Sequence, residues 1–173
     1  MLHRTEGIVL RTIPFGEADL IVSFLTRDFG YLKTFAKSPL KTKSRFGSSL
    51  EPLTHSRIAF WGKEDTSLPR LTQSDIIHPF QSVRDTLNCF LRVSEIVELT
   101  LQFIPEREVN KKVYSLLLHT LHRIEKNCDS NLILFHYKVK LLRFVGYAPK
   151  LDACGRCGKK GYSYYVSQGS ILC

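Results

Sequence analysis

Thr5 to Ala36 reads TEGIVLRTI, PFGE, ADLIVSFLT, RDFG, YLKTFA: three runs rich in β-branched and aromatic residues, separated by turn residues. The runs cover Thr5–Ile13, Ala18–Thr26 and Tyr31–Ala36, with Pro14-Phe15-Gly16-Glu17 and Asp28-Phe29-Gly30 between them. Leu53–Trp61 and Leu68–Ile77 supply a fourth and a fifth strand, divided by Gly62-Lys63-Glu64-Asp65. Five short strands in so little chain predict a small barrel, and the oligonucleotide-binding (OB) fold is the common five-stranded form. A sandwich or an SH3-like barrel would give a similar string.

The pattern changes after His78-Pro79. Val83, Leu87, Phe90, Val97, Leu101 and Ile104 recur at helical steps, with Ser94 in the remaining slot. They predict one long helix, and Ser82 with Asp85 three residues on resembles a capping box at its start. Pro105 breaks it. Val109, Val113, Leu116, Thr120 and Ile124 trace a second helix. Leu132, Phe135, Val139 and Leu142 trace a third, closed by Gly146 with Pro149 beyond. The predicted class is α+β multidomain: an OB barrel over 1–79, a helical domain over 80–149 and a partial zinc-binding hairpin over 150–173.

The hairpin rests on Cys154-Gly155-Arg156-Cys157 followed, fifteen residues later, by Cys173. C-x2-C lets two thiolates grip one ion from a tight turn, and Tyr162, Tyr164, Tyr165 and Val166 form a β-like run leading back to it. Zinc held structurally by Cys154, Cys157 and Cys173 is the expectation, with the fourth ligand lacking in this sequence. A redox pair fits poorly, since the C-x-x-C opens no helix in a βαβ setting. Cys89 reads as a small core hydrophobe and Cys128 as a helix-end residue. Cysteine usage fits a reducing cytosol. The N-terminus has no apolar signal core, and no run of 18 apolar residues suggests a membrane span.

The chain has 173 residues, 43% of them hydrophobic, and carries a formal net charge of +9, which points to a polyanionic partner. Between Phe29 and Leu50 no acidic residue occurs, while Lys33, Lys37, Lys41, Lys43 and Arg45 do, interleaved with Tyr31, Phe35 and Phe46. Single-stranded nucleic-acid binders combine a cationic path for phosphates with aromatic faces for bases. The bland alternative is a solvated loop, with Tyr31 and Phe35 turned into the core. His119 and His122 lie three apart on a helix without an evident third ligand, and His55 and His78 read as structural. No phosphate-cradling glycine loop, nucleophile elbow or H-E-x-x-H motif is present, so no enzymatic activity is expected.

These pieces resemble the bacterial RecO recombination mediator family. The likeness is carried by Gly146-Tyr147-Ala148-Pro149-Lys150-Leu151-Asp152-Ala153-Cys154-Gly155-Arg156-Cys157-Gly158-Lys159, by Gly7-Ile8-Val9-Leu10-Arg11 and by Gly16-Glu17-Ala18-Asp19. Leu25-Thr26-Arg27-Asp28-Phe29-Gly30 and Leu50-Glu51-Pro52-Leu53 add to it. The resemblance implies a DNA repair protein of the bacterial cytoplasm and nucleoid that binds single- and double-stranded DNA and anneals strands. It further implies work with RecR, and in some lineages RecF, to load RecA onto DNA coated by single-stranded DNA-binding protein, whose acidic tail in some members docks on the helical domain. Lys37, Lys41, Lys43 and Arg45 carry over as DNA contacts. Where the family has a K-G-A-R-K type turn, this chain has Lys37-Ser38-Pro39-Leu40-Lys41, and it stops at the third cysteine, as a partial product would. An OB-fold RNA-binding protein and a zinc-containing protein–protein adaptor are the alternatives, with a zinc hydrolase behind them.

Overall fold

In the computed structural model, which describes residues 1–40, 46–63, 66–128, 130–147, 153–160, 165–167 and 170–173, the five predicted strands close into one barrel. They are β1 (Leu2–Phe15), β2 (Asp19–Thr26), β3 (Gly30–Ala36), β4 (His55–Trp61) and β5 (Arg70–His78). The order is β1-β2-β3-β5-β4, closed by β1 against β4; β3 and β5 run parallel and every other pair antiparallel. This is the connectivity of the OB fold. Ile8 pairs with Leu25 on one side and His55 on the other, and just after it the register of β1 against β2 shifts between Val9 and Arg11, as at a β-bulge. Val9, Val22, Phe24, Leu32, Ile58, Phe60 and Leu71 fill the interior. A 3-10 turn, Gly47–Leu50, precedes β4, and Phe46 before it and Leu50 at its end join the barrel core. Phe46, grouped in the sequence with aromatics that could stack on bases, is only 3% exposed and belongs to this core.

The helical part departs from the periodicity in three places. The long helix expected from Ser82 to Ile104 is two, α1 (Gln81–Asp85) and α2 (Leu87–Phe103), separated by Thr86 in an extended conformation (φ −105°, ψ 111°). Ser82 and Asp85 form no capping box: Phe80 holds the N-cap position with φ 49°, and the Ser82 hydroxyl instead donates to Glu125 (3.2 Å). Third, α4 (Asn131–Phe144) buries Ile133, Tyr137 and Leu141, not the predicted stripe; Leu132 is 74% and Phe135 66% exposed, with Val139 beside them. Tyr137 decides the face, because its hydroxyl meets Thr100 of α2 at 2.5 Å inside the bundle. As predicted, α3 (Lys111–Lys126) buries Val113, Leu116, Thr120 and Ile124, and Asn110 caps it by accepting from the Val113 N–H at 3.1 Å; Val109 precedes the helix and is exposed. Gly146 (φ +87°) terminates α4, with the Tyr147 N–H donating to the Leu142 carbonyl at 2.8 Å. Pro149 lies outside the described residues.

Barrel and helices share one hydrophobic cluster. Ile8, Leu10, Leu25 and Leu53 point out of the barrel and pack with Phe80, Val93, Ile96, Leu117 and their neighbours. His55 Nε2 and the Tyr114 hydroxyl meet at 2.9 Å in this seam. Burial holds the Tyr114 phenol above its usual range and the His55 imidazole below its own. The segment joining α2 to α3 lies across the end of β3, where the Arg107 N–H donates to the Tyr31 carbonyl (2.8 Å). Cys89 and Cys128 are paired in a disulfide with a Cα–Cα distance of 5.4 Å, tying α2 to the turn after α3. Cys89 is buried as expected, but the crosslink departs from the unpaired cysteines expected of a reducing cytosol. Beyond the bundle, β6 (Tyr165–Ser167) and β7 (Ser170–Leu172) pair antiparallel. No helix among the described residues is long and apolar enough to cross a membrane.

Candidate nucleic-acid interface and metal centre

Alternation along β3 sorts the basic stretch. Leu32, Thr34 and Ala36 face into the barrel, whereas Tyr31, Lys33 and Phe35 are half-buried on its outer surface. Tyr31 and Phe35 therefore are not barrel core. Tyr31 packs against the helical cluster, and its hydroxyl lies 3.4 Å from Ser23 Oγ. Lys33 is ion-paired with Glu106, and its ammonium sits 5.6 Å from the Tyr31 ring centre. The hydrogen bond to Glu106 raises the Lys33 pKa. Lys37 is exposed at the end of β3. Lys41, Lys43 and Arg45 lie outside the described residues.

Strand register brings to Phe35 a set of side chains that the sequence reading did not single out. Phe35 pairs laterally with Arg70 of β5, and Arg70 with Trp61 of β4. On the other side the Phe15 ring meets the Phe35 ring edge-on at 5.9 Å. Phe15 (53% exposed), Phe35, Arg70 and Trp61 (60% exposed) thus form one row across three strands and the end of β1, with the exposed Lys37 two residues after Phe35. Such a row offers flat faces for bases beside cations for phosphates. Only the pairing register could have shown it, since these residues lie in four different strands.

A second concave surface runs between α3 and α4. It is a groove of about 590 Å³ lined by Lys111, Lys112, Ser115, Leu116, His119, His136, Lys140 and Phe144. Burial, then the nearby Lys140, Arg123 and His119, push the His136 pKa down. His119 faces this groove; the side chains near His122 are instead His78 and Glu125.

Cys154, Cys157 and Cys173 converge as the spacing predicts. Their sulfur atoms lie within 4.8 Å of one another, and Cys157 Sγ is 3.7 Å from Cys173 Sγ. The turn is built by the Gly158 N–H donating to the Cys154 carbonyl at 2.9 Å, with Gly158 at φ +69°. The Gly155 N–H donates to the Ile171 carbonyl (2.8 Å), which joins the turn to β7. The Cys173 N–H donates to Cys154 Sγ at 3.4 Å; with the Cys157 and Arg156 N–H groups it lowers the Cys154 thiol to about 6. Neighbouring thiols raise Cys173. A thiolate steadied by backbone donors, facing two further thiols, is a donor set suited to a soft divalent ion. Tyr162 and Tyr164 of the expected β-like run lie outside the described residues.

Residues 1–80 match the family model described as Recombination protein O N terminal, and residues 86–173 match Recombination protein O C terminal. The chain belongs to the RecO family. Among RecO relatives, the DNA repair protein RecO of Thermodesulfovibrio yellowstonii is 47% identical over 174 residues, covering 100% of this chain and 69% of that protein. That of Syntrophus aciditrophicus is 33% identical over 176 residues, 99% of this chain and 68% of the relative. The Bacillus pumilus RecO is 32% identical over 167 residues, 96% and 64% respectively. This RecO family chain is accordingly placed in recombinational DNA repair.

Proposed function

We propose that this chain is a non-enzymatic DNA-binding protein that handles both single- and double-stranded DNA and promotes strand annealing. In this reading it acts in the bacterial cytoplasm and at the nucleoid, with RecR, to load RecA onto DNA coated by single-stranded DNA-binding protein. The observation that carries the reading is the row Phe15-Phe35-Arg70-Trp61 with Lys37 two residues after Phe35, on a chain of net charge +9. Lys41, Lys43 and Arg45, just beyond Lys37 in sequence, extend the cationic path, while Lys33 serves its contact with Glu106. The groove between α3 and α4, lined by Lys111, Lys112 and Lys140, suits the acidic tail of the coating protein. Zinc on Cys154, Cys157 and Cys173 would serve structure only.

Trp61 is the sole tryptophan and reports on the surface directly. Single-stranded DNA is expected to quench its fluorescence, and rising salt to reverse the quenching. One lost stacking contact is worth about 1–3 kcal/mol, so Trp61→Ala should weaken binding roughly five- to 140-fold. Unchanged fluorescence together with unchanged affinity would sink the interface. Equal competition by RNA of the same sequence would favour the RNA-binding alternative.

A further inference from the structure

We propose a second metal site, for zinc or a similar borderline divalent cation, made by His78, His122 and Glu125 at the seam between barrel and helices. His78 is the last residue of β5, and His122 and Glu125 stand three apart on α3. One donor atom from each lies within 4.8 Å of the other two. His78 Nε2 is 2.9 Å from one Glu125 oxygen and 3.0 Å from the other, and His122 Nδ1 is 3.8 Å from the nearer. Around a tetrahedral zinc with bonds of about 2.0–2.2 Å, donors sit roughly 3.4 Å apart, so the group brackets the required spacing. An ion could enter with side-chain shifts on the order of 1 Å.

The surroundings suit an ion. The Ser82 hydroxyl donates to Glu125 at 3.2 Å and orients the carboxylate, as outer contacts do for metal ligands. Phe80, fully buried, closes one side, its ring 4.3 Å from that of His78 and 4.8 Å from that of His122. All three donors keep partial exposure, which leaves a path in from solvent. Two imidazoles and a carboxylate are borderline-to-hard donors, unlike the thiolates of the cysteine centre. Three protein ligands leave one position for water, and the bound ion would clasp β5 to α3. Among the described residues only this group and the cysteines bring three such donors together.

The test uses cobalt(II) as a visible probe and zinc as the stabilising ion. A Cys154→Ser/Cys157→Ser variant should take up about one equivalent of cobalt(II), with ligand-field bands and no sulfur charge-transfer band. Zinc should raise its thermal midpoint. Adding His122→Gln, which leaves the His78–Glu125 contact in place, should abolish both effects while circular dichroism stays unchanged. In the unaltered chain, His122→Gln should remove one equivalent of cobalt(II) and leave the sulfur charge-transfer intensity intact, which covers the case of a cysteine variant that fails to fold. Unaltered stoichiometry in both backgrounds, or no cobalt(II) bound by a folded cysteine variant, would overturn the site.

Discussion

A Cβ added to Gly30 would sit 2.1 Å from the Glu108 carbonyl oxygen and 3.1 Å from its nitrogen, both backbone atoms that cannot swing away. Gly30 also holds φ +65°, where other residues are strained by about 1–2 kcal/mol. Gly30→Ala should therefore force the α2–α3 segment off the barrel and cost about 2–4 kcal/mol. Gly16, at φ +68° with nothing within 4 Å of its Cβ position, supplies the control. Gly16→Ala bears only the backbone strain, so chemical denaturation should rank Gly30→Ala well below it; equal losses would refute the close approach. In the sequence Gly30 was legible as a turn residue, but not as a docking point, because its partner lies 78 positions away in a segment without a motif. Lys33 and His122 repeat that lesson. Lys33 looked free for an outside partner but is matched by Glu106, brought near by the segment before α3, while the neighbour of His122 and Glu125 that spacing could not show is His78, at the end of β5.

Strands were easier to read than helix faces, for a physical reason. Period two along β1 to β5 has two phases, and turns with glycine follow β1, β2 and β4. In α4 the residues Leu132, Phe135 and Val139 and the residues Ile133, Tyr137 and Leu141 form two apolar stripes of similar strength, so periodicity alone selects neither. The break at Thr86 carries no glycine or proline and was equally hidden. Nor could spacing show that Cys89 of α2 reaches Cys128. That pair is separated by 39 residues, and closing such a loop in the unfolded chain is worth up to about 4 kcal/mol in the chain-entropy picture. Reductant should lower the unfolding midpoint of the oxidised protein and expose two additional thiols to alkylation. Cys128→Ala should start at the lower midpoint and not respond. An identical midpoint with and without reductant would show that the crosslink adds no stability.

At the scale of the molecule, the barrel's two faces do different work. One bears Phe15, Phe35, Arg70 and Trp61 to solvent; the other gives Ile8, Leu10, Leu25 and Leu53 to the cluster built with α1 to α4. Each of those four aliphatic side chains is worth roughly 1.5–3 kcal/mol when buried, about 6–12 kcal/mol together, which matches the whole stability of a small domain. Removing the helices would also strip His55 of its hydroxyl partner Tyr114 and uncover the Gly30 end of β3. A fragment of residues 1–80 should consequently bind a hydrophobic dye, aggregate at concentrations where the full chain does not, and lack a sharp thermal transition. Replacing Leu10 and Leu25 by threonine should reduce its aggregation without restoring that transition, since the lost burial is not returned. If instead the fragment unfolds cooperatively near the midpoint of the full chain, the shared cluster is not what holds the barrel. The row of Phe15, Phe35, Arg70 and Trp61 would then be a property of the barrel alone.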